Sequence, residues 1–467
     1  MKLVRLAPAL GALAASLAAP ADVRAQAFSL NEIGSCAVGR AGGTTGAPCQ
    51  DASVIYWNPA AATRLPGVSI YGGVAGIGVD GSFRQDVLNR EFPGDIPWEF
   101  PPHLFATWNV RPRLSLGIGA YVPYGLTSQW EENFPGRFSA KMASLQSIYV
   151  QPNIAYELVP GRLAIGGGPV IAHSTVELEQ ALDLSTQRTS ATGPTFGQLG
   201  IPLRTEFARA NVEADDIAYG FNLGVHATPT PAVQLGVRYL SEIEFEYEGD
   251  VNFRQVSTGL VLAANNPLGF PAGTPVDTLV QGQFQTGGAL VTQDVGSRIA
   301  HPQQFQAGIG FTALPNTLFA VDAVWTGWSS FDVLPFEFKG PAAGSSRELL
   351  EEYEDTWGVR ASGEYAFQNA FAGWSARAGF GWAQTPAPDV TVTPLLPDSD
   401  RYNYTLGVTI PLAERWSVDA AYWRVQTTGR RGRIVERDDP TLTAAQLNEG
   451  WYELSANVLS FSVKARF

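Results

Sequence analysis

Residues 401–410 read RYNYTLGVTI. In an extended chain, Tyr402, Tyr404, Leu406, Val408 and Ile410 share one face, while Arg401, Asn403, Thr405, Gly407 and Thr409 share the other. The period is two, so the segment is a strand. The same pattern recurs upstream. Over 217–227, Ile217, Tyr219, Phe221, Leu223, Val225 and Ala227 alternate with Ala218, Gly220, Asn222, Gly224 and His226. Over 148–158, Ile148, Val150, Ile154, Tyr156 and Leu158 oppose Gln151, Asn153 and Glu157. A soluble sandwich also alternates. Here one face is almost unbroken apolar and the other is glycine, asparagine, arginine and glutamate, which suits a barrel with lipid outside and a polar or filled lumen inside.

Working outward, fourteen such segments emerge: 66–78, 102–111, 113–123, 144–158, 162–178, 215–228, 232–248, 301–313, 316–327, 353–367, 373–385, 400–411, 415–427 and 451–467. An even number allows an antiparallel bacterial barrel to close. The joints alternate in length. Arg111–Arg113, Pro160–Gly161, Pro229–Pro231, Pro315, Gln368–Ala372 and Leu412–Glu414 are tight. The connections 79–101, 124–143, 179–214, 249–300, 328–352, 386–399 and 428–450 are long. Short turns belong in the periplasm and long loops outside, which places both termini in the periplasm. The expected fold is therefore all-β, a 14-stranded antiparallel transmembrane barrel over 66–467.

Residues 1–25 read as a secretory leader. Lys2 and Arg5 precede the apolar run Leu6–Leu17, and Val23 and Ala25 give a small-residue cleavage pattern. The run is too short to span a membrane as a helix, and no later stretch is long enough either. The full chain carries −13 and the mature one about −15, which argues against nucleic acid and anionic lipid as partners.

Between leader and first strand, residues 26–65 fit neither. Gly34, Gly39, Gly42, Gly43 and Gly46 work against regular structure, yet Phe28, Leu30, Ile33, Ile55, Tyr56 and Trp57 avoid water. Fourteen strands enclose a lumen wider than side chains can fill. The segment is expected to plug it, making passage selective. Its Cys36 and Cys49 are the chain's two cysteines. In an oxidising compartment they read as a disulfide, worth about 3 kcal/mol in the chain-entropy view; two free buried thiols are the alternative.

At this point the chain resembles the FadL-type outer-membrane transporters over essentially its whole mature length. The resemblance is most specific in the plug: Asn31-Glu32, Gly39-Arg40-Ala41, Asp51-Ala52-Ser53 and Asn58-Pro59-Ala60. Val122-Pro123-Tyr124-Gly125-Leu126 with Trp130 and Gly136-Arg137-Phe138 resembles the family's third strand and its loop. Tyr219-Gly220-Phe221-Asn222, Leu235-Gly236-Val237-Arg238-Tyr239, Asp322 with Trp325, and Leu396-Pro397-Asp398 add further matches. The cysteine pair and the acidic strand end at 242–248 depart from the pattern. The resemblance implies passive transport of long-chain fatty acids or other hydrophobic compounds, with Asn58, Pro59 and Ala60 as the hatch motif. It also implies a side window at Pro123, Tyr124 and Gly125, since proline cannot donate a ladder hydrogen bond and glycine marks a bulge. An ordinary strand end is the plainer reading of these residues.

Loops 179–214 and 249–300 are unusually apolar, with Leu262, Leu268 and Phe270 in the second. By resemblance they form the groove where a ligand lands; mutual packing is the alternative. A carried carboxylate would need a cation, for which Arg40, Arg137, Arg209 and Arg238 are candidates, and Phe28 is the plug residue expected to contact ligand and move. Glu242, Glu244, Glu246 and Glu248 are expected on the water side above the membrane, as a solvated rim rather than a cation site. The four histidines are scattered, and no metal or cofactor spacing is present. His173 and Ser174 face opposite sides of a strand, which argues against a barrel lipase. An aromatic-hydrocarbon channel of the same fold and a polar-solute porin are the remaining alternatives. The C-terminal Phe467, with Phe461, Val463 and Ala465 on its face, resembles the signal read by the barrel-assembly machinery. Lipid, lipopolysaccharide and that machinery are the expected macromolecular surroundings of a monomer in the Gram-negative outer membrane.

Overall fold

A computed structural model describes residues 27–86, 89–189, 192–264, 266, 268–432 and 450–467. The leader lies outside the described residues. Fourteen wall strands run β1 (Val68–Gln85), β2 (Pro102–Arg111), β3 (Leu114–Tyr121, resuming as Gly125–Gln129), β4 (Met142–Val159) and β5 (Leu163–Asp183). They continue as β6 (Glu206–Thr230), β7 (Val233–Leu240, then Ile243–Gln255), β8 (Gln293–His301, then Gln304–Leu314), β9 (Thr317–Thr326) and β10 (Thr356–Ala366). The circuit ends with β11 (Ser375–Ala383), β12 (Arg401–Ala413), β13 (Trp416–Thr427) and β14 (Gly450–Arg466). Each pairs antiparallel with its sequence neighbours. The ring closes where Ser69 of β1 faces Arg466 of β14 and Gln85 faces Gly450. Among the described residues, no helix is long and apolar enough to cross a membrane; the strands cross instead.

The outward face of every wall strand carries exposed apolar side chains, for example Leu104, Ile154, Leu223, Ile309, Leu406 and Leu459. The inward face is buried and largely polar, with Gln151, Asn222, Arg238, Gln306, Asp322 and Asp419. Burial of these polar groups requires partners, and the segment preceding β1 supplies them.

Residues 27–65 lie inside the ring. Three short turns of helix, Ser35–Val38, Val54–Trp57 and Pro59–Arg64, replace the wholly irregular chain expected from its glycines. Contacts reach the wall all round. Thr45 N–H donates to Asp322 (2.7 Å), Asn222 donates to the Tyr56 carbonyl (3.0 Å), and the Ser35 hydroxyl meets Ser462 (2.7 Å). Asn58 of the hatch motif donates to the carbonyls of Thr45 and Val225, and Asn153 donates to that of Pro59; Ala60 is fully buried. Backbone meets backbone at Gly46 and Gly308, where a Cβ on Gly46 would collide with the Gly308 carbonyl carbon. Only glycine permits that approach. Cys36 and Cys49 are joined in a disulfide.

The wall is taller than expected on one side. β5, β6, β7 and β8 extend to 183, back to 206, to 255 and back to 293 respectively, so the loops 179–214 and 249–300 are shorter than the sequence pattern indicates. The reason is the outward face. Above the lipid band it turns charged, with Glu177, Glu213, Asp215 and Glu248, so the apolar alternation stops. The ladder does not: Glu177 still faces Glu213, and Asp215 faces Glu248. Glu242, Glu244, Glu246 and Glu248 are exposed there. Glu244 pairs with Arg298 (3.4 Å) and Glu248 with Lys339 (2.7 Å).

Candidate functional site

β3 breaks at 122–124, where Pro123 has no N–H to give. The start of the plug fills the break. Leu30 N–H donates to the Pro123 carbonyl (2.8 Å), and Gly125 N–H donates to the Phe28 carbonyl (2.9 Å). Three plug residues thus act as a short substitute strand. Tyr124 turns inward; its hydroxyl donates to the Pro302 carbonyl (2.6 Å) and receives Gln304 (2.9 Å).

Phe28 sits in an aromatic box. Its ring centroid lies 4.7 Å from Trp328, 5.5 Å from Phe331, 5.8 Å from His301 and 6.0 Å from Tyr124, mostly edge-on. Such pairs add about 0.5–1.5 kcal/mol each beyond buried area. One residue earlier, both peptide groups of Ala27 are gripped. Asp398 accepts its N–H (2.8 Å), and Arg401 donates to its carbonyl (2.7 Å) while pairing with Asp398 (3.2 Å).

Two cavities flank this start. The larger, about 550 Å³, touches Leu30, Glu32, Gly125, Leu145 and Arg401 inside the barrel. It also touches Ile148 and His173, which oppose each other on the outward face. The cavity therefore borders both faces of the wall at the break in β3, with the start of the plug across it. The smaller, about 70 Å³, is almost wholly apolar and touches Phe28, Val212, Ile299, Phe331 and Leu395. The two share Leu126 and Leu145, and residues 27–30 stand between them.

The expected residues divide accordingly. Phe28, Pro123, Tyr124 and Gly125 come together at the break. The four arginines do not. Arg40 is buried against the Gly43 carbonyl, Ser362 and Glu364. Arg238 is buried with Gln304 and lies 4.5 Å over the Tyr56 ring. Arg137 pairs with Glu206 (2.8 Å), and Arg209 bridges Glu132, Glu179 and Glu206 on the extracellular side. Arg209 and Lys141 hold the Glu132 carboxyl down to about 2. All four cations are engaged within the protein, and neither cavity touches them.

The long loops, expected to form a landing groove, pack on each other. Leu262 closes a small core with Leu184, Phe196, Phe207, Val276 and Val280, so the loops' apolar residues cover each other. Leu268 is half-buried and Phe270 exposed, and neither borders either of these two cavities. The residues missed were Asp398, Arg401, Trp328 and Phe331. Arg401 stood on the polar face of its strand and Asp398 beside it in a family match, which is the signal that would have found them.

Behind the aromatic box, in the long connection after β9, Glu351 is buried with no ion-pair or hydrogen-bond partner for Oε2 among the described residues. Burial pushes its carboxyl up to about 8. A raised carboxyl stabilises its surroundings below the unfolded value of about 4.3, and that contribution is lost as pH rises through about 8. Protection of residues 328–353 from hydrogen exchange, compared against local intrinsic rates, should therefore fall as pH rises from about 4.3 to about 8 and level off above it. Glu351→Gln should flatten that dependence. Equal pH dependence in the variant would refute the assignment.

A closed barrel whose interior segment seals a greasy passage is the architecture of an outer-membrane transporter for hydrophobic compounds. The chain belongs to the family described as outer membrane protein transport protein (OMPP1/FadL/TodX), whose profile matches residues 15–467. That family is one of membrane transporters and channels rather than enzymes. The long-chain fatty acid transport protein of Escherichia coli K12 is 23% identical over 414 residues, covering 84% of this chain and 86% of that protein. The 47 kDa outer membrane protein of Pasteurella multocida is 21% identical over 457 residues, covering 97% of each. Among solved structures, a Pseudomonas aeruginosa FadL homologue superposes with a TM-score of 0.77 at 20% identity, covering 94% of this chain and 99% of that one. The Pseudomonas putida toluene transporter TodX gives 0.65 at 16% identity, covering 95% and 100%.

Proposed function

We propose that this protein carries hydrophobic molecules passively across the outer membrane and releases them sideways into the bilayer at the break in β3. The carrying observation is the cavity that joins plug residue Leu30 to outward-facing Ile148. Energetics favour the sideways exit. A 16-carbon tail gains about 0.8 kcal/mol per methylene on leaving water, or about 12 kcal/mol in all. Release into the aqueous periplasm would forfeit most of that, whereas release into lipid would not. No energy source is needed, because the ligand runs down its own gradient. The grip of Asp398 and Arg401 on Ala27 keeps residues 27–30 in the break. Letting go would connect the smaller cavity to the larger and open the window together. The relatives named for fatty acids and for toluene support hydrophobic cargo without choosing its head group.

An alkyl diazirine probe, photolysed in the reconstituted protein and mapped by mass spectrometry, tests the route. Labels are expected at Leu30 and Leu145 inside and at Ile148 outside. Labelling confined to the loop core around Leu262 would sink the lateral route.

A further inference from the structure

Resting on that reading of the cavity as the transport site, we infer that its cargo is uncharged: a hydrocarbon, alcohol or ester rather than a fatty-acid anion. Among the described residues, the charged side chains around the cavity are three carboxylates, Glu32, Glu99 and Asp398, and one guanidinium, Arg401. That guanidinium already has its charge matched by a carboxylate. It pairs with Asp398 at 3.2 Å and donates to the Ala27 carbonyl at 2.7 Å. Asp398 is also occupied, accepting Ala27 N–H and the Thr385 hydroxyl (2.6 Å). Glu99 accepts the Thr127 hydroxyl (2.9 Å) through one oxygen, and Glu32 accepts the Asn31 N–H (2.7 Å) through one of its own. Among the charged groups at this cavity, carboxylates therefore outnumber cations by three to one.

A ligand carboxylate entering here would lose water and meet like charge, both unfavourable. A hydroxyl or ester would meet acceptors or apolar wall and carry no charge to repel. The smaller cavity gives an anion no better reception, since the side chains it presents inward are apolar, Phe28, Val212, Ile299 and Leu395 among them. Arg238 has no carboxylate partner among the described residues, but it is fully buried over the Tyr56 ring and borders neither cavity.

The test compares two probes of one chain length, 1-tetradecanol and tetradecanoate, by equilibrium binding to the purified full-length protein at pH 8. The alcohol should bind, and the carboxylate at least about tenfold more weakly, equivalent to about 1.4 kcal/mol. Glu32→Gln and Glu99→Gln, each checked for a closed barrel by heat-modifiable gel migration, should narrow that ratio by strengthening tetradecanoate. Tetradecanoate binding as tightly as the alcohol would overturn the inference and leave hydrophobic transport standing. Binding of neither probe would overturn the transport reading itself.

Discussion

Removing residues 28–60 is expected to leave a folded barrel that conducts ions freely, where the full chain conducts little. The wall does not need the plug for its ladder: β1 pairs with β14 from Ser69–Arg466 to Gln85–Gly450 without it. What the plug contributes is interior matter. Trp57, Tyr56 and Ile55 are buried inside the ring, and the lumen wall around them is polar, with Gln151, Asn222, Asp322 and Asp419. Take the plug away and those groups regain water, so the barrel loses interior hydrogen bonds while the vacated space becomes a wet channel. Planar-bilayer recordings of the deleted and full proteins decide it. Equal conductance would mean that 28–60 does not occlude the passage.

Closing the wall should have the second largest effect. Pro123→Val restores the absent N–H, and Gly125→Val adds bulk. A Cβ at 125 would come within 2.9 Å of the Leu30 Cδ1, the flexible end of a side chain that can give way. The double variant should take up a labelled hydrophobic compound no faster than cells lacking the protein, while the probe still binds beside Phe28. Undiminished uptake by a correctly folded double variant would exclude lateral release at this strand.

Much of the barrel could be read from the chain because lipid imposes a strict rule on one face. Ile217, Tyr219, Phe221, Leu223 and Val225 announce β6 without help from any other residue. The upper half of the same strand was illegible. Glu213 and Asp215 face water on one side, so burial no longer dictates their type, and only the pairing with Asp250 and Glu248 shows that the strand continues. The site was half legible for a related reason. Pro123 and Gly125 disturb a strand by their own backbone chemistry, which a sequence displays. The arginines were chosen by charge alone, and whether a cation is free depends on partners far along the chain. Arg40 meets Glu364 and Arg137 meets Glu206 only once the barrel has closed. The grip on Ala27 joins residues 371 positions apart, which no local pattern reveals.

The uneven height of the wall has a consequence for the first step of uptake. β6 has 25 residues. At about 3.4 Å per residue and a tilt near 40°, it climbs roughly 65 Å, against an apolar membrane band of about 25 Å. Some 40 Å of it therefore stands clear of the hydrocarbon, by the same rough geometry. Its inward face there, with Val212 and Ala214, stays greasy and borders the smaller cavity. On the proposed route, the tall flank would serve as a sheltered chimney past the hydrated head-group layer. On the proposed lateral route, a water-shunning compound would be taken in above that layer and delivered beneath it, at a doorway level with the lipid tails.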